Sequence, residues 1–379
     1  MTSLRSERIE RLGQLSELSR REWNGLVGST GPFMDWRFLS SLEKAGSVGR
    51  TVGWEPLPLI VRGPEGPLAG ASAYLKSNSH GEFVFDWAWA QAAHQAGLSW
   101  YPKLLIAAPF SPVAGPRLLG ADSHPEAARE LIGFAEDLVE ENALSSAGIN
   151  FCNRHDRRLL REAGWLERSD WQFHWKNESY SDFDDFLSRL KRKPRKNIRA
   201  ERRRVQEDGW TFRWKAGDLL DSNDIDLIDR CYQSTFALYG NLPMLNRDFF
   251  EHAAGLFGPD FLICKAALHH QAQAVAVFWR DRERLYGRYW GSLIDTRDVH
   301  FETCYYQGID YCIEHGLDWF EPGAQGEHKI RRGFLPQKTT SFHHIRHPGM
   351  RQAIERYLIQ EGRALQQYRL QLDSLNPFA

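Results

Sequence analysis

The order of strand-like and helix-like segments in the second half of the chain is the feature that most restricts its fold. Three apolar runs separated by short turns predict an antiparallel meander over residues 261–268, 273–280 and 284–290. A helix-like segment over 301–315 and a short apolar run over 318–320 follow the meander. Because a helix that crosses between two strands usually joins them in parallel, this order predicts an α/β fold with a mixed sheet.

The first half of the chain shows a similar order of elements without a detectable sequence repeat. A hairpin over 57–75 and a strand over 104–108 precede an amphipathic helix over 125–144 and a short strand over 149–151. Helices, antiparallel strands, a crossing helix and a further strand thus occur twice. Acyltransferase domains of the GNAT type are arranged in this way, so the sequence predicts two such domains.

The length of 379 residues agrees with about two domains. We expect an N-terminal GNAT-like domain over 1–176 and a C-terminal one over 177–379, with a closing helix over 350–372 that can pack back on the first domain. Two local sequence patterns in the first half predict secondary structure. Ser19 and Glu22 form a capping-box pattern that predicts a short helix, and the alternating aromatic residues over 83–89 predict an extended segment.

Composition excludes several classes of protein. No stretch of about 18 apolar residues occurs, and the charged N-terminus lacks the apolar region of a signal peptide, so we expect no membrane span and a cytoplasmic location. The five scattered cysteines form no CxxC pair, which predicts reduced thiols and no thiolate zinc site. The 14 Trp, 12 Tyr and 22 Phe residues suit a groove that holds a large, partly apolar ligand.

The segment 321–336, EPGAQGEHKIRRGFLP, is the strongest candidate for chemistry. Its glycines and prolines interrupt regular structure directly after a predicted strand, and loops at strand ends often carry functional side chains. The alternative is a solvated turn with incidental charges. The candidate residues are Glu321, Gln325, Glu327, Lys329 and Arg332.

A basic run over 189–204 predicts a helix that begins near Pro194. Basic side chains gain nothing from the positive end of the helix dipole, so their position at the helix start favours binding of an external anion such as phosphate. The alternative is a solvated basic face that nearby acidic residues balance. The candidates for phosphate or substrate binding are Lys193, Arg195, Lys196, Asn197 and Arg199.

A second set of candidates lies in the first half, near a proline-rich segment over 108–117. Lys76 ends a predicted strand and Lys103 begins one, and a cleft with Asp86 and Arg117 would bring these charges together. The alternative is a proline-stiffened surface loop. No spacing typical of a metal site occurs, and we expect no metal.

Several runs resemble those of bacterial predicted N-acyltransferases that are labelled peptidoglycan biosynthesis/recognition and related to Fem-type peptidyltransferases. These runs are FDWAWAQAA, YPKLLIAAPFSPVAGPRLL, QFHWKN, FDDFLSRLKRKPRKNIRAERR, RYWGS and EPGAQGEHKIRRGFLP. The resemblance covers nearly the whole chain. It implies tandem GNAT-like domains and transfer of an acyl or aminoacyl group to an amine, with Lys329 in the substrate cleft and a Fem-like basic helix over 193–199.

Two departures from these families bear on the substrates. The pyrophosphate-binding loop of coenzyme A-dependent GNAT enzymes is absent before Phe301, and the long helical arm common in Fem-type enzymes is also absent. We expect no bound cofactor, and the donor is either aminoacyl-tRNA or acyl-coenzyme A.

The leading hypothesis is an N-acyltransferase acting on an amine-bearing acceptor, such as a cell-wall precursor or a peptide. Glu327 or Glu321 would accept a proton and Lys329, with Arg332, would stabilise the oxyanion or hold a phosphate. Tyr289 and Trp290 would shape the acyl pocket. The alternatives are a coenzyme A-dependent acyltransferase with a degenerate loop, and a non-catalytic binder of RNA or a phosphorylated precursor. The oligomeric state stays open, and tRNA is a partner only if the donor is aminoacyl-tRNA.

Overall fold

The computed structural model describes residues 8–28, 31–238, 240–324 and 326–379. The chain forms two compact units. Unit 1 consists of Met1–Asp170 and Lys338–Gln367, and unit 2 consists of Trp171–Gln337 and Tyr368–Ala379. The domain boundary predicted from the sequence, between residues 176 and 177, stays a prediction.

Unit 1 contains two sheets and the helices that cover them. Its strands are β1 (Ile9–Arg11), β2 (Trp54–Pro56), β3 (Leu59–Gly63), β4 (Gly66–Ala71), β5 (Ala73–Lys76), β6 (Lys103–Ile106) and β7 (Ser146–Ile149). Its helices are α1 (Arg20–Val27), α2 (Trp36–Lys44), α3 (Trp87–Gln95), α4 (Pro125–Glu141) and α5 (Arg154–Glu162). Strands β8 (Leu166–Lys176) and β14 (Leu335–Ile345) and helix α11 (Pro348–Ser374) contribute residues to both units.

The larger sheet of unit 1 has the strand order β2-β5-β6-β7-β14. Strands β6 and β7 are parallel and are joined by helix α4, whereas the other neighbouring pairs are antiparallel. Strands β1, β3 and β4 form a separate antiparallel sheet. The buried side chains of α4, such as Leu131 and Leu138, pack in one core with strand residues such as Leu59 and Ile106.

Unit 2 contains the predicted meander. Its strands are β9 (Trp210–Ala216), β10 (Phe261–Leu268), β11 (Gln271–Arg280), β12 (Arg284–Ser292) and β13 (Trp319–Glu321). Its helices are α6 (Phe183–Ser188), α7 (Arg192–Glu207), α8 (Ser222–Leu238), α9 (Arg247–Phe257) and α10, which combines Val299–Phe301, a π-helical turn Glu302–Tyr306 and Gln307–Glu314.

The sheet of unit 2 has the strand order β8-β13-β12-β11-β10-β9. Strands β12 and β13 are parallel and are joined by helix α10, and the other pairs are antiparallel. The mixed sheet with a crossing helix after a meander therefore confirms the predicted fold class.

Helix α8 packs closely on strand β12 at Gly291. A β-carbon at this position would lie 1.8 Å from the carbonyl oxygen of Cys231 in α8, so only glycine fits between the two elements. The contact fixes the second half of β12, which borders the candidate site.

Several sequence signals are confirmed at the level of single residues. The Ser19–Glu22 capping box is present at the start of α1, and Asp35 caps α2 by accepting a hydrogen bond from the backbone N–H of Arg37. His269 and His270, predicted as a hairpin turn, both have positive φ between β10 and β11. Residue 239, where a predicted helix was expected to end, lies outside the described residues.

Two predictions of local structure are wrong. The aromatic segment expected to be extended becomes helix α3 from Trp87 onward, because its alanine-rich sequence favours a helix over a strand. Phe85 and Trp87 stack with ring centroids 4.4 Å apart. The segment 321–336 is not entirely irregular, because Glu327–Arg332 forms a short 3₁₀-helix.

Within the described ranges, no helix is both long enough and apolar enough to cross a membrane.

Candidate active site

Strands β12 and β13 separate at one end of their short parallel pairing, and a cavity lies at that point in unit 2. The pairing covers only Arg284–Tyr286 of β12 and Trp319–Glu321 of β13. Beyond it β12 continues, whereas the segment that follows β13 turns away at Pro322. The cavity has a volume of about 270 Å³. It is lined by Ala276, Val277, Phe278, Gly287, Arg288, Tyr289, Trp290, His300, Cys304, Tyr305, Pro322, Gly323, Ala324, His328 and Lys329. We call it the Lys329 cavity.

A β-bulge in β12 borders this cavity. Val277 of β11 pairs with Tyr289 and Phe278 pairs with Gly287, so Arg288 is an extra residue without a partner position in β11. Bulges redirect the extra side chain, and here Arg288 lines the cavity. Burial lowers the pKa of Arg288, although the neighbouring Tyr289 opposes the shift.

Lys329 is only 3% exposed and lies in the 3₁₀-helix Glu327–Arg332. Its ammonium group donates a hydrogen bond of 2.7 Å to the carbonyl oxygen of Gly323. Among the residues that the structure describes, no carboxylate forms an ion pair with it. Burial lowers the pKa of Lys329 to about 7, and the charge of Arg288 acts in the same direction.

The other titratable rings in the cavity are held neutral near pH 7. Burial lowers the pKa of His300 to about 4, and burial and the charge of Arg332 also lower the pKa of His328. The hydroxyl of Tyr305 and Nε2 of His328 are 3.0 Å apart and share a hydrogen bond. Lys329 is therefore surrounded by neutral or cationic side chains.

Glu321 lies beside this cavity and is buried. One carboxylate oxygen accepts a hydrogen bond of 2.9 Å from Arg284, and the other is 3.8 Å from Nε2 of His174 without a hydrogen-bond partner in the described part of the chain. Burial lowers the pKa of His174. Glu321 is thus partly neutralised by Arg284 and retains one buried oxygen that can accept a proton.

A second cavity of about 370 Å³ adjoins the first and shares His328 with it. It is lined by Pro194, Asn197, Ile198, Glu201, Phe301, Glu327, His328, Arg331, Arg332 and Leu375. Glu327 is exposed here, and its carboxylate accepts a hydrogen bond of 2.5 Å from Tyr368. The structure therefore places Glu321 and Glu327 in different surroundings.

Arg332 holds the 3₁₀-helix against α7 and α10. Its guanidinium donates hydrogen bonds of 2.9 Å to Glu201, to the hydroxyl of Tyr306 and to the carbonyl oxygen of His328. It also lies 3.6 Å from the ring centroid of Phe301. With three protein partners, Arg332 positions the segment that carries Lys329.

The basic helix α7 is amphipathic as predicted, with Ile198 and Val205 buried. Arg199 pairs with Asp184 at 2.8 Å, and Arg195 donates to the carbonyl oxygen of Ser188 at 3.4 Å. Lys193 and Lys196 are exposed and have no ion-pair partner within the described ranges. The start of this helix therefore presents uncompensated positive charge next to the second cavity.

The candidates of the first half lie in unit 1, where three of them form a buried ion network. Lys103 donates hydrogen bonds of 2.7 Å to Glu82 and 2.5 Å to Asp86, and Lys76 lies 4.0 Å from Glu82. Burial lowers the pKa of Lys76 to about 7. Burial alone would raise the pKa of Asp86, but the charge of Lys103 lowers it to about 2. The network is internally balanced and holds strands β5 and β6 together.

Arg117 does not join this network. Its guanidinium donates to the carbonyl oxygens of Val113, Pro116 and Asn150, and its backbone N–H donates to Asp156. These four hydrogen bonds, three of them buried, stabilise the proline-rich segment.

Of the predicted site residues, Tyr289 and Trp290 line the Lys329 cavity, whereas Gln325 lies outside the described residues. The sequence analysis missed Glu82, Glu201, Arg288, His300, Tyr305 and His328. His328 lies inside the selected segment 321–336, Glu201 inside the basic run 189–204 and Arg288 inside the run RYWGS. Glu82, His300 and Tyr305 lie outside all of these runs. No cluster of three potential metal ligands occurs among the described residues.

The fold has the mixed sheet and crossing helix that the sequence predicts for GNAT-type domains. The chain belongs to the FemAB-like family, described as peptidoglycan biosynthesis/recognition, which matches residues 14–379. Family and fold together thus identify an acyltransferase and confirm the resemblance stated from the sequence. No curated protein is significantly similar in sequence.

Solved structures that resemble the chain share little sequence with it. FemX is 13% identical, with 91% of this chain and 100% of FemX covered and a TM-score of 0.55. A conserved protein of unknown function from Bacteroides thetaiotaomicron is 8% identical, with coverage of 88% and 98% and a TM-score of 0.52. A tandem GNAT protein from the clavulanic acid biosynthesis pathway is 10% identical, with coverage of 90% and 98% and a TM-score of 0.47.

Proposed function

We propose that unit 2 transfers an acyl or aminoacyl group to an amine acceptor in the Lys329 cavity. The observation that carries this proposal is a lysine that is 3% exposed, lines a cavity and has no carboxylate partner among the described residues. Lysine is almost never buried without a partner, because desolvation of its charge is costly. A titratable group perturbed in this way inside a cavity is a candidate for catalysis.

The roles of the residues follow from the reaction. The amine nitrogen attacks the acyl carbon, a C–N bond forms, the bond from the acyl carbon to the donor breaks, and the amine proton ends on the leaving group. Lys329 as an ammonium group stabilises the oxyanion of the intermediate. Because its pKa is about 7, it also gains and loses a proton readily near neutral pH.

Glu321 is the better candidate of the two glutamates for accepting the amine proton through water. Glu321 directly precedes Pro322 of the cavity wall, and one of its buried carboxylate oxygens has no hydrogen-bond partner among the described residues. Glu327 instead lines the second cavity and binds Tyr368. Tyr289 and Trp290 form the part of the wall that contacts the acyl group.

The test is transfer activity in Lys329→Met, with Lys176→Met as the matched control. Lys176 is an exposed lysine of unit 2 that pairs with Glu178, so its loss has little effect. We expect Lys329→Met to lower kcat by roughly 10²–10³ with an unchanged melting temperature, the usual effect of losing one oxyanion-stabilising group. Unchanged turnover in Lys329→Met would remove this residue from the mechanism.

The start of helix α7 supports a phosphate-bearing donor. Lys193 and Lys196 lie near Asn197, which lines the second cavity together with Arg331. We propose that phosphates of the donor bind here while its acyl group enters the Lys329 cavity. Aminoacyl-tRNA is favoured over acyl-coenzyme A because Lys193 and Lys196 are exposed at the start of α7, where a large polyanion can reach them.

Salt dependence separates these donors. Each lysine that neutralises a phosphate contributes about one unit to the slope of log K against log salt concentration. Lys193→Gln with Lys196→Gln should therefore reduce the slope for tRNA binding by about two, whereas Arg282→Gln, an exposed arginine in the turn before β12, should not change it. Turnover with acyl-coenzyme A but not with aminoacyl-tRNA would support the alternative donor.

We also propose that the acceptor is an amine of a cell-wall precursor. The support is the description of the family, peptidoglycan biosynthesis/recognition. A saturable shift in melting temperature with a UDP-linked muropeptide tests this point. RNA binding without turnover of any donor would instead indicate a non-catalytic binder. A cytoplasmic location stays a prediction from the sequence.

A further inference from the structure

The charges around the Lys329 cavity are of one sign. Lys329 from the 3₁₀-helix and Arg288 from the bulge of β12 both line it, and no aspartate or glutamate does so among the described residues. Glu321, which directly precedes the lining residue Pro322, is bound to Arg284 and faces His174, and its charge also acts on Arg288 from outside the lining. A small cavity with two cations and no acid in its lining attracts an anion and repels a cation.

The remaining polar groups of the wall do not alter this balance. His300, Cys304 and Tyr305 come from α10, and His328 precedes Lys329. Burial raises the pKa of Cys304 and of Tyr305, so both are neutral near pH 7. The two histidines are neutral there as well, because burial lowers the pKa of each ring. The positive charge of Lys329 and Arg288 is therefore not cancelled by any of them.

We propose that the Lys329 cavity is a receptor for a carboxylate group, and that amines, including the α-amine of an aminoacyl group, enter it only in their neutral form. This inference deepens the proposed function, because it adds a property of the group that enters the same cavity. One of the two substrates carries a carboxylate that Lys329 and Arg288 bind. The carboxylate belongs either to the acyl group or to a peptide acceptor, and in both cases the same two cations would bind it.

The proposal has a consequence for the amine that reacts. An incoming ammonium ion loses its water and meets two cations, so its neutral form is favoured on entry. The cavity then admits the nucleophile as a free amine, which is the form able to attack the acyl carbon. The same charges that hold the carboxylate would thus assist deprotonation of the acceptor.

Direct binding of three small probes tests the proposal without any transfer reaction. The probes are N-acetylalanine, which carries a carboxylate, N-acetylalaninamide, its neutral analogue, and alaninamide, a cation. Binding is measured at pH 6 by ligand-observed saturation-transfer NMR and by calorimetry, with the full chain. We expect N-acetylalanine to bind at least about tenfold more tightly than N-acetylalaninamide, since a hydrogen bond to a charged group corresponds to a factor of this size. We expect no saturable binding of alaninamide.

Lys329→Met should remove most of the preference for the carboxylate, whereas Lys176→Met should retain it. The affinity of the wild type for N-acetylalanine should fall as the pH rises through about 7, because Lys329 then loses its charge. Equal affinities for the carboxylate and the amide, or a preference for the cation, would overturn the proposal, even if Lys329→Met did not fold. Failure of all three probes to bind would overturn it too, while a positive transfer assay would still support the proposed function.

Pairs of substrates with and without a carboxylate show whether the bound carboxylate belongs to the acyl group or to the acceptor. Donors that differ only in a side-chain carboxylate or carboxamide test the acyl group, and peptide acceptors with a free or amidated C-terminus test the acceptor. The proposal expects KM to rise at least about tenfold on amidation of one of them, and no change with either substrate would refute it.

Discussion

Replacement of Arg332 by glutamine tests how the 3₁₀-helix Glu327–Arg332 is held in place. The guanidinium of Arg332 is 9% exposed and its partner Glu201 is 15% exposed, so this ion pair is largely desolvated. The substitution also removes hydrogen bonds to Tyr306 and to the carbonyl oxygen of His328. Removal of one partner of a buried pair costs about 3–5 kcal/mol, because the other charge remains buried.

This loss of stability should appear as a large shift in the melting temperature of unit 2. For a unit of this size, 1 kcal/mol corresponds to about 2–4 °C, so we expect Arg332→Gln to lower the melting temperature by about 6–20 °C. Arg331→Gln is the matched control. Arg331 is the adjacent arginine, is exposed and has no ion-pair partner among the described residues, so its loss should change the melting temperature by less than about 2 °C.

A double variant separates the ion pair from the packing of the side chain. Glu201→Gln combined with Arg332→Gln removes both charges and should be more stable than the sum of the single losses predicts. Calorimetry of the four proteins gives the coupling energy. Equal melting temperatures for the Arg331 and Arg332 variants, or strictly additive losses, would refute the role assigned to this pair.

The remaining predictions concern activity, packing and the network of unit 1. The transfer rate of the wild type should fall relative to that of Lys329→Arg as the pH rises through about 7. Lys329 has a pKa of about 7 and becomes neutral, whereas arginine stays charged. Parallel pH–rate profiles of the two proteins would contradict this prediction. Gly291→Ala should destabilise unit 2 by about 1–3 kcal/mol, because the new β-carbon would collide with Cys231. Gly255→Ala in α9, where nothing lies within 4 Å, should instead stabilise it by about 0.5–1 kcal/mol. Denaturant titration measures both changes, and similar effects would refute the packing argument. Lys103→Met should destabilise unit 1 by about 3–5 kcal/mol, because Glu82 and Asp86 stay buried with Lys76 as their only cation in the network. Lys44 is exposed, so Lys44→Met should have little effect. Equal melting temperatures of the two variants would contradict the role of the network.

The sequence was sufficient for the order of elements in unit 2, because the meander and the crossing helix have clear periodicities and turn residues. It was insufficient at the segment around Trp87, where two signals conflicted. The aromatic residues alternate with a period of two, but the alanines between and after them favour a helix. Tertiary packing of Trp89 in unit 1 agrees with the helix.

For the candidate site, the sequence located Lys329 but not its surroundings. Arg288 enters the cavity because β12 has one residue more than its partner, and a bulge has no reliable sequence signal. Likewise, Glu201 and Tyr306 are 131 and 26 residues from Arg332, so their contacts depend on how α7 and α10 pack. The acids near Lys329 could not be ranked either, since Glu321 and Glu327 differ in burial rather than in type.

The 3₁₀-helix that carries Lys329 also restricts how this segment can be changed or transplanted. With three residues per turn, residues three apart lie directly above one another, so Lys329 and Arg332 form a buried row while His328 and Arg331 form an exposed row. In an α-helix the same residues would be offset by about 60° around the axis, because each residue turns the chain by about 100°. An insertion of one residue between Lys329 and Arg332 would rotate Arg332 by about 120° out of this row and separate the lysine from its anchor. A designer who moves this motif to another scaffold must therefore keep its winding as well as its sequence.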